Sequence, residues 1–398
     1  MQDKKLHVGI DTTTWANDRG FGRFTRELVT ALAARDTGFR YSLVFDRPWD
    51  GPLPANLDVV TAATVRSLNE SAVGDSSRSL GYLWQMGRAV RNANFDLFFF
   101  PAVYSYFPLL ARVPCVICYH DTTAERLPHL LFPTKLNHRL WQIKTALARW
   151  QTTRAMTVSQ SSARDLEVIL RIPKSKIDIV SEAADPVFRV IDSRATGEAA
   201  LARYGIPPDA KVLVYVGGIN AHKNILSCLK AMPRIVQDQP RVHLAIVGDT
   251  SGKGFWDNLS ELKAFIESNP PLSAHVHFTG YVSDPDLVEL LNGAAALVFP
   301  SLWEGFGLPA VEAMSCGTPV LSSDRGSLPE IIGEGGLYYD PDNVDEIVAC
   351  VRTFLAQPDL RARLKTAALA RAKNFTWDRA AALAEASFLR CHKDVNRK

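Results

Sequence analysis

At 398 residues the chain is too long for one ordinary core, since about 150 residues per domain is usual, and two units are expected. A composition of 47% hydrophobic and 22% charged residues excludes wholesale disorder, collagen-like repeats and coiled coil. Forty-five Lys and Arg against 42 Asp and Glu, a formal net charge of +3, are too balanced to point to nucleic acid as a partner, so an anionic ligand has to be met locally.

The chain opens on a short apolar run, Leu6 to Ile10, that reads as a strand and is too short for a signal-peptide core, so a cytoplasmic protein is expected. A helical pattern follows from Gly22 to Ala34, then strands at Tyr41 to Phe45, Asp96 to Phe100, Cys115 to Tyr119 and Ala155 to Val158, and a helix from Ser161 to Leu170. The weakly charged stretch from Leu97 to Tyr119 carries Pro101, Pro108, Arg112 and Pro114 and reads as strand, loop, strand rather than a spanning helix. Cysteines stand at 115, 118, 228, 316, 350 and 391; the Cys115–Cys118 pair fits alternate strand positions better than a metal or redox motif.

From Leu127 to Arg164 there is no Asp or Glu, while Lys135, Arg139, Lys144, Arg149, Arg154 and Arg164 all occur. Thr134 to Thr152 reads as a helix with Leu136, Leu140, Ile143, Leu147 and Trp150 on one side and Lys135, Arg139 and Arg149 along its flank. Two readings stand open here: the stripe packs on a sheet and the basic flank is solvated, or the basic flank meets anionic lipid headgroups or a lipid pyrophosphate acceptor.

The alternation of strand and helix predicts one doubly wound domain over 1–187. The pattern lapses over 188–210, expected to be a linker, and a second α/β domain is expected over 211–374. Its strands are Val212 to Val216, Leu244 to Val247, Val276 to Thr279, Ala296 to Phe299 and Pro319 to Ser322, with helical patterns at Asn224 to Met232, Pro285 to Asn292 and Pro309 to Ser315. Two Rossmann-like domains of this kind are expected to bind ligands at the carboxyl ends of their strands, across an interdomain cleft.

Two loops after strands carry candidate chemistry. Gly217-Gly218-Ile-Asn-Ala-His222-Lys223-Asn224 opens a helix, and glycine-flanked amides beside Lys223 suit a diphosphate; alternatively Asn224 caps the helix and the two basic groups are solvated. In Glu304-Gly-Phe306-Gly307-Leu308-Pro309-Ala-Val-Glu312, Pro309 suits the first helical position, which would put Glu312 on the first turn and Glu304 on the loop before it. The amides of Phe306, Gly307 and Leu308 could face an anion, with Glu304 accepting from sugar hydroxyls; the alternative is that both acids are solvated or complement the helix dipole.

The segment SLWEGFGLPAVEAMSCGTPVLSSDRGSLPEI, with Glu304 and Glu312 in the family's spacing, resembles the signature of retaining glycosyltransferases of family 4 with the GT-B fold. The resemblance extends to VGGINAHKN, AIVGDTSG, VHFTGYVSDPDL, TVSQSSARDL, GFGRFTRELVTAL and CYHDTTAE, in family order over nearly the whole chain. It implies that Lys223 grips the donor diphosphate, with His222 where Arg is more usual and weakening as it loses its proton near pH 6 to 7. It further implies Glu312 on the ribose hydroxyls, Glu304 on the donor sugar, the amides of Phe306, Gly307 and Leu308 on sugar and phosphate, Gly218 in the phosphate loop and Val282 beside the base. His120 would face the donor sugar from the other domain, and Gly20 and Gly22 would approach the phosphate or acceptor. The loop DRGFGRF lacks the third glycine of a dinucleotide fingerprint, which counts against a nicotinamide.

The resemblance also implies a C-terminal helix, about 377–394, that completes the first domain through a stripe of Ala381, Leu383, Ala384, Phe388 and Leu389. The activity implied is metal-independent sugar transfer from a nucleotide sugar, with no resident cofactor, to a glycan or lipid-linked acceptor, at the inner face of the cell membrane if the basic flank is used. GDP-mannose is favoured over UDP-sugars by analogy. The alternatives are a GT-B enzyme acting on the nucleotide sugar itself, as an epimerase does, and a non-catalytic nucleotide-sugar-binding protein.

Overall fold

The structure, a computed structural model, describes residues 5–17, 20–62, 79–191, 194–250 and 258–396. Asp18 and Arg19 of the first glycine loop, and Ser251 and Gly252 of AIVGDTSG, lie outside the described residues. The chain forms two compact units, Met1–Glu182 with Trp377–Lys398, and Ala183–Thr376.

In chain order the first unit has β1 (Leu6–Asp11), α1 (Gly20–Ala33), β2 (Phe39–Phe45), β3 (Asp58–Thr61), α2 (Leu80–Ala93), β4 (Leu97–Phe100), β5 (Cys115–Cys118), α3 (Thr123–Arg126), α4 (Pro128–Leu131), α5 (Lys135–Gln151), β6 (Arg154–Thr157), α6 (Gln160–Val168) and β7 (Ile177–Ile179). Its sheet is parallel in the order β3-β2-β1-β4-β5-β6-β7. Central strands such as LFFF of β4 and CVIC of β5 are buried along their whole length, as a parallel sheet covered on both faces requires. All six cysteines are free and buried, Cys115 and Cys118 within β5.

The second unit has α7 (Arg194–Ala202), β8 (Lys211–Val216), α8 (Ile225–Asp238), β9 (Val242–Val247), α9 (Leu259–Glu267), β10 (Val276–Gly280), α10 (Asp284–Gly293), β11 (Ala296–Phe299), α11 (Leu308–Ser315), β12 (Val320–Ser323), α12 (Leu328–Ile332), β13 (Gly336–Tyr339), α13 (Val344–Ala356) and α14 (Pro358–Ala372). Its sheet, in the order β10-β9-β8-β11-β12-β13, repeats the doubly wound scheme, with the order reversing between β8 and β11. The loops after those two strands are the ones that carry the candidate chemistry.

The expected linker at 188–210 is corrected by the structure. It belongs to the second unit and holds α7, which docks on α10 where Gly197 and Gly293 bring the two backbones into contact. Arg203 pairs with Asp286 at 3.0 Å and with Glu289. Small residues and a surface charge cluster replace the apolar stripe that would have announced a docked helix.

The chain ends in α15 (Trp377–Asn396), which belongs to the first unit. Phe388 is fully buried between Phe99, at 5.2 Å between ring centroids, and Phe39, at 6.1 Å. Leu389, expected in the same stripe, is exposed; Glu385, Ser387 and Cys391 share the buried face instead. Glu385 is hydrogen-bonded by Thr37, Arg35 and Tyr41 at 2.6, 3.0 and 3.0 Å. Asp178 accepts from Arg154 at 2.7 Å and from Ser387 at 2.7 Å, and pairs with Arg390 at 2.9 Å. Burial alone would raise the Asp178 carboxyl, but Arg154 and Ser387 outweigh it and hold it below its ordinary range. The stability it contributes is therefore present above that range and is lost as pH falls through the depressed folded value.

The basic window is only partly a surface. Arg154 is buried and neutralised by Asp178 and Asp394, and Lys144 turns inward to donate to the Tyr104 carbonyl at 2.5 Å. The α5 stripe does not pack on the sheet. The buried face of α5 holds Thr145 and Ala148, whereas Leu136, Leu140, Ile143, Leu147 and Trp150 are 64%, 39%, 58%, 43% and 80% exposed. Thr134 caps the helix by accepting from the Asn137 amide, so it begins one residue later than the pattern suggested.

Phe388→Ala is expected to lower the stability of the first unit by about 3–5 kcal/mol, the usual cost of emptying a buried phenyl site. In denaturant unfolding followed by peptide-resolved hydrogen exchange, β1, β2 and β4 should lose protection earlier than in the wild type while β8 to β13 are unchanged. Unaltered protection of the first sheet would show that α15 does not support it.

Candidate functional site

In the second unit the site is built at the carboxyl ends of β8 and β11. After β8, a short helical turn, Ala221–Lys223, leads into α8 through Asn224, whose left-handed backbone (φ 55°) turns the chain into the helix. Asn224 does not cap α8: its side chain donates to the Pro341 carbonyl at 2.9 Å instead. His222 and Lys223 are only partly exposed, and Lys223 is paired with Glu304, so the alternative of a capped helix with two free surface cations does not hold.

Lys223 Nζ lies 2.6 Å from Glu304 Oε1, with both side chains largely shielded from water. Two motif residues expected to act on different parts of a donor are thus each other's partner. Burial alone would raise the Glu304 carboxyl, but the Lys223 charge and hydrogen bond outweigh it and hold Glu304 ionised, below its ordinary range. The loops are also joined through the main chain, Leu302 N donating to His222 O at 2.9 Å.

His222 differs from expectation. Burial and the neighbouring Lys223 charge push it down to about 4, so it is neutral near pH 7 and has no charge to lose between pH 6 and 7. Its Nδ1 is buried without a hydrogen-bond partner among the described residues. It can serve a ligand as a neutral imidazole, one nitrogen donating and one accepting.

The loop after β11 is held by residues that the sequence reading quoted in a motif but did not place in the site. Ser327 Oγ donates within 3.1 Å of Glu304 O and 3.0 Å of Phe306 O, and Ser327 N donates to Glu304 O at 3.2 Å. Gly326 lies so close that a Cβ there would sit 2.8 Å from Glu304 O, and its φ of 61° also favours glycine. Gly307 turns the chain into α11 at φ 92°, and a Cβ there would strike Leu328 at 2.7 Å. The spacing of Gly326-Ser327 from Glu304 carries no local signal of this clamp, because the contact is made across adjacent strands of the sheet.

Helix α11 begins at Leu308, so Pro309 occupies its second position and Glu312 falls in the second turn, not the first. Glu312 is buried there. Among the described residues the amides of Phe306, Gly307 and Leu308 donate to no carbonyl or side chain, while the Phe306 ring is fixed edge-on to Phe375 at 5.4 Å. A loop whose side chains are buried and whose amides are uncommitted is suited to meet an anion with backbone alone. Gly218 accepts from the Tyr215 hydroxyl at 2.7 Å through its carbonyl, which fixes the β8 loop. Val282 has its side chain buried, so only its backbone could meet a base; the exposed group there is Tyr281.

In the first unit, α1 starts two residues before the expected Gly22, placing Gly20 and Gly22 in its first turn rather than in a loop. A Cβ at Gly22 would lie 1.9 Å from the Asn17 carbonyl, so that glycine is required by packing within the unit, whereas Gly20 faces open space. His120 follows β5 and is buried. Its Nδ1 is 3.0 Å from Glu182 Oε1 and its Nε2 is 2.9 Å from the Pro101 carbonyl. Both partners are acceptors, so both bonds exist only if both nitrogens carry protons. Burial opposes that charge, while the Cys118 sulfur and the Glu182 carboxylate favour it, and the balance lies well above the ordinary histidine value. Glu182 had no signal in the sequence, sixty-two positions from its partner.

Two doubly wound parallel α/β sheets are the architecture of the GT-B fold, and in the second unit the glycine loop and the Glu304–Glu312 segment follow the carboxyl ends of β8 and β11. The sequence models agree: "Glycosyl transferases group 1" matches residues 198–371 and "Glycosyltransferase Family 4" matches residues 19–188. The chain belongs to the family 4 glycosyltransferases of the GT-B fold. It is similar to the O-antigen chain mannosyltransferase B of Escherichia coli, 32% identical over 56% of this chain and 57% of the relative. Serotype-specific mannosyltransferase WbdA of Escherichia coli is also 32% identical, over 58% of this chain and 28% of its own length, so the chain spans about half or less of these relatives. A D-inositol 3-phosphate glycosyltransferase of Kribbella flavida is 26% identical over 94% of this chain and 91% of the relative. Among solved structures, sucrose-phosphate synthase from Thermosynechococcus elongatus superposes with a TM-score of 0.76 at 18% identity, covering 97% of this chain and 98% of that one. Anabaena HepE, solved with UDP and glucose, superposes with a TM-score of 0.72 at 18% identity, covering 97% and 100%.

A group whose folded pKa is raised adds stability below its ordinary value and loses it as pH rises through the folded value. Proton NMR titration should therefore find His120 titrating above the other histidines, and Glu182→Gln should move it down. An ordinary titration in the wild type, or no response to Glu182→Gln, would contradict the doubly protonated ring.

Proposed function

We propose that the protein transfers a sugar, with mannose favoured, from a nucleoside diphosphate donor to a hydroxyl of a glycan or lipid-linked acceptor, retaining the anomeric configuration. The observation that carries this reading is the Lys223–Glu304 pair beside three uncommitted amides. A bound diphosphate would draw Lys223 from Glu304, and the freed carboxylate would accept from sugar hydroxyls. In the transfer step the bond from the anomeric carbon to the diphosphate breaks and the acceptor oxygen joins the same face. The acceptor proton passes to the departing phosphate oxygen. Lys223, the α8 entry and the α11 amides stabilise the leaving charge, so in this reading fixed cations and dipoles do the work of a metal. Glu312 takes the ribose hydroxyls. The mannosyltransferase relatives at 32% identity lend weak support to mannose, over about half of this chain, and a GDP donor rests on analogy alone.

A thermal-shift panel of nucleoside diphosphates and their sugars identifies the donor, since a ligand of the native state raises apparent stability. Lys223→Ala and Glu312→Ala are each expected to weaken nucleotide binding by about 1.5–3 kcal/mol, the worth of a charge-assisted contact. Glu304→Ala should lower the rate of disaccharide formation far more than it lowers affinity for the donor. No stabilisation by any nucleotide, or sugar transfer at wild-type rate by Lys223→Ala, would overturn the reading.

A further inference from the structure

The exposed face of α5 is unlike the rest of the first unit's surface. Leu136, Leu140, Ile143, Leu147 and Trp150 recur at alternating steps of four and three, which lines them along one edge of a straight helix, and every one of them is exposed. The row beside them holds Lys135, Arg139, Gln142, Ala146 and Arg149, so the stripe is flanked by positive charge alone, and α5 contains no Asp or Glu; Arg149 also donates to the Leu170 carbonyl at 2.8 Å through one guanidinium nitrogen, and its side chain is still exposed. Of the acidic groups on neighbouring elements, Glu125 accepts from Trp141 on the inward side of α5 at 2.7 Å and Asp165 holds Arg126, which leaves Glu167 of α6 as the exposed carboxylate on that side of the unit.

A four-three stripe also suits a second copy of the same helix. Pairing α5 with itself, in either direction, would set like charges against like, with no acid on the helix to relieve them. The occupant has to be apolar along its centre and anionic at its edge. We propose that α5 docks on an anionic lipid surface, Trp150 and the aliphatic stripe entering the boundary between headgroups and acyl chains while Lys135, Arg139 and Arg149 meet the headgroups. The contact is independent of how a sugar is transferred, and nucleotide binding reads that separately.

The test is co-sedimentation of the full chain with vesicles of phosphatidylcholine containing about 30% phosphatidylglycerol, against vesicles of phosphatidylcholine alone. Binding is expected only to the anionic vesicles, and it should weaken as salt rises. Replacing Lys135, Arg139 and Arg149 together with Gln should weaken it about 100-fold, taking roughly fivefold for each charge near the surface. Leu136→Gln, Ile143→Gln and Trp150→Gln combined, with every charge kept, should abolish it. Both variants should keep the wild-type thermal shift with nucleotide, which separates lost docking from lost folding. Equal binding to neutral vesicles, no binding to either, or binding indifferent to the apolar substitutions would overturn the proposal. So would concentration-dependent dimerisation that the apolar substitutions remove.

Discussion

The candidate site rests on one ion pair. Lys223 arrives on the loop after β8 and Glu304 on the loop after β11, and their contact at 2.6 Å is what brings the two motifs into one place. Such a pair is costly to shield from water, and its mutual attraction repays that cost only where the geometry is close and further hydrogen bonds support it. The surrounding main chain holds it in place: Ser327 and Gly326 clamp Glu304 from one side, and the Leu302 to His222 bond joins the loops. The site therefore has a rigid backbone and one exchangeable contact. In the proposed reading an anion takes the place of Glu304 on Lys223 while the loops stay where their main-chain bonds hold them.

The first unit is organised by a different buried charge. Arg154, on β6, donates to Asp178 of β7 and to Asp394 of α15, and Asp178 also accepts from Ser387 and pairs with Arg390 of the same helix. Phe388 and Glu385 add an apolar anchor and a three-donor polar one at β1's neighbours. The end of the chain is thus required by the sheet that begins it. His120, with Glu182 and the Pro101 carbonyl on its two nitrogens, is fixed within that unit, and it must release Pro101 before Nε2 can serve a ligand.

Most of the fold was legible because buried parallel strands announce themselves as apolar runs. The strands that were missed, β3, β7 and β13, all lie at sheet edges, where DVVT, IDI and GLYY are only partly covered and need no such run. The motif residues were legible by position but not by partnership. Nothing in the spacing of Lys223 and Glu304 says that they pair, that His222 is neutral, or that Ser327 holds the loop, since each contact joins segments brought together only by the sheet. Periodicity found α5 and its stripe, yet it could not say which face looks outward. The charges of the basic window were divided in the same way: Arg154 is consumed by the core while Lys135, Arg139 and Arg149 remain at the surface.

Calorimetry of a bare nucleoside diphosphate with Glu304→Gln tests the proposed exchange of partners at Lys223 most directly. That change keeps the shape of the side chain and removes the charge that competes for Lys223, so the variant should bind the diphosphate at least as tightly as the wild type. Loss of binding in Glu304→Gln would show that the carboxylate itself is needed to hold the nucleotide, and that Lys223 does not pass from one anion to the other.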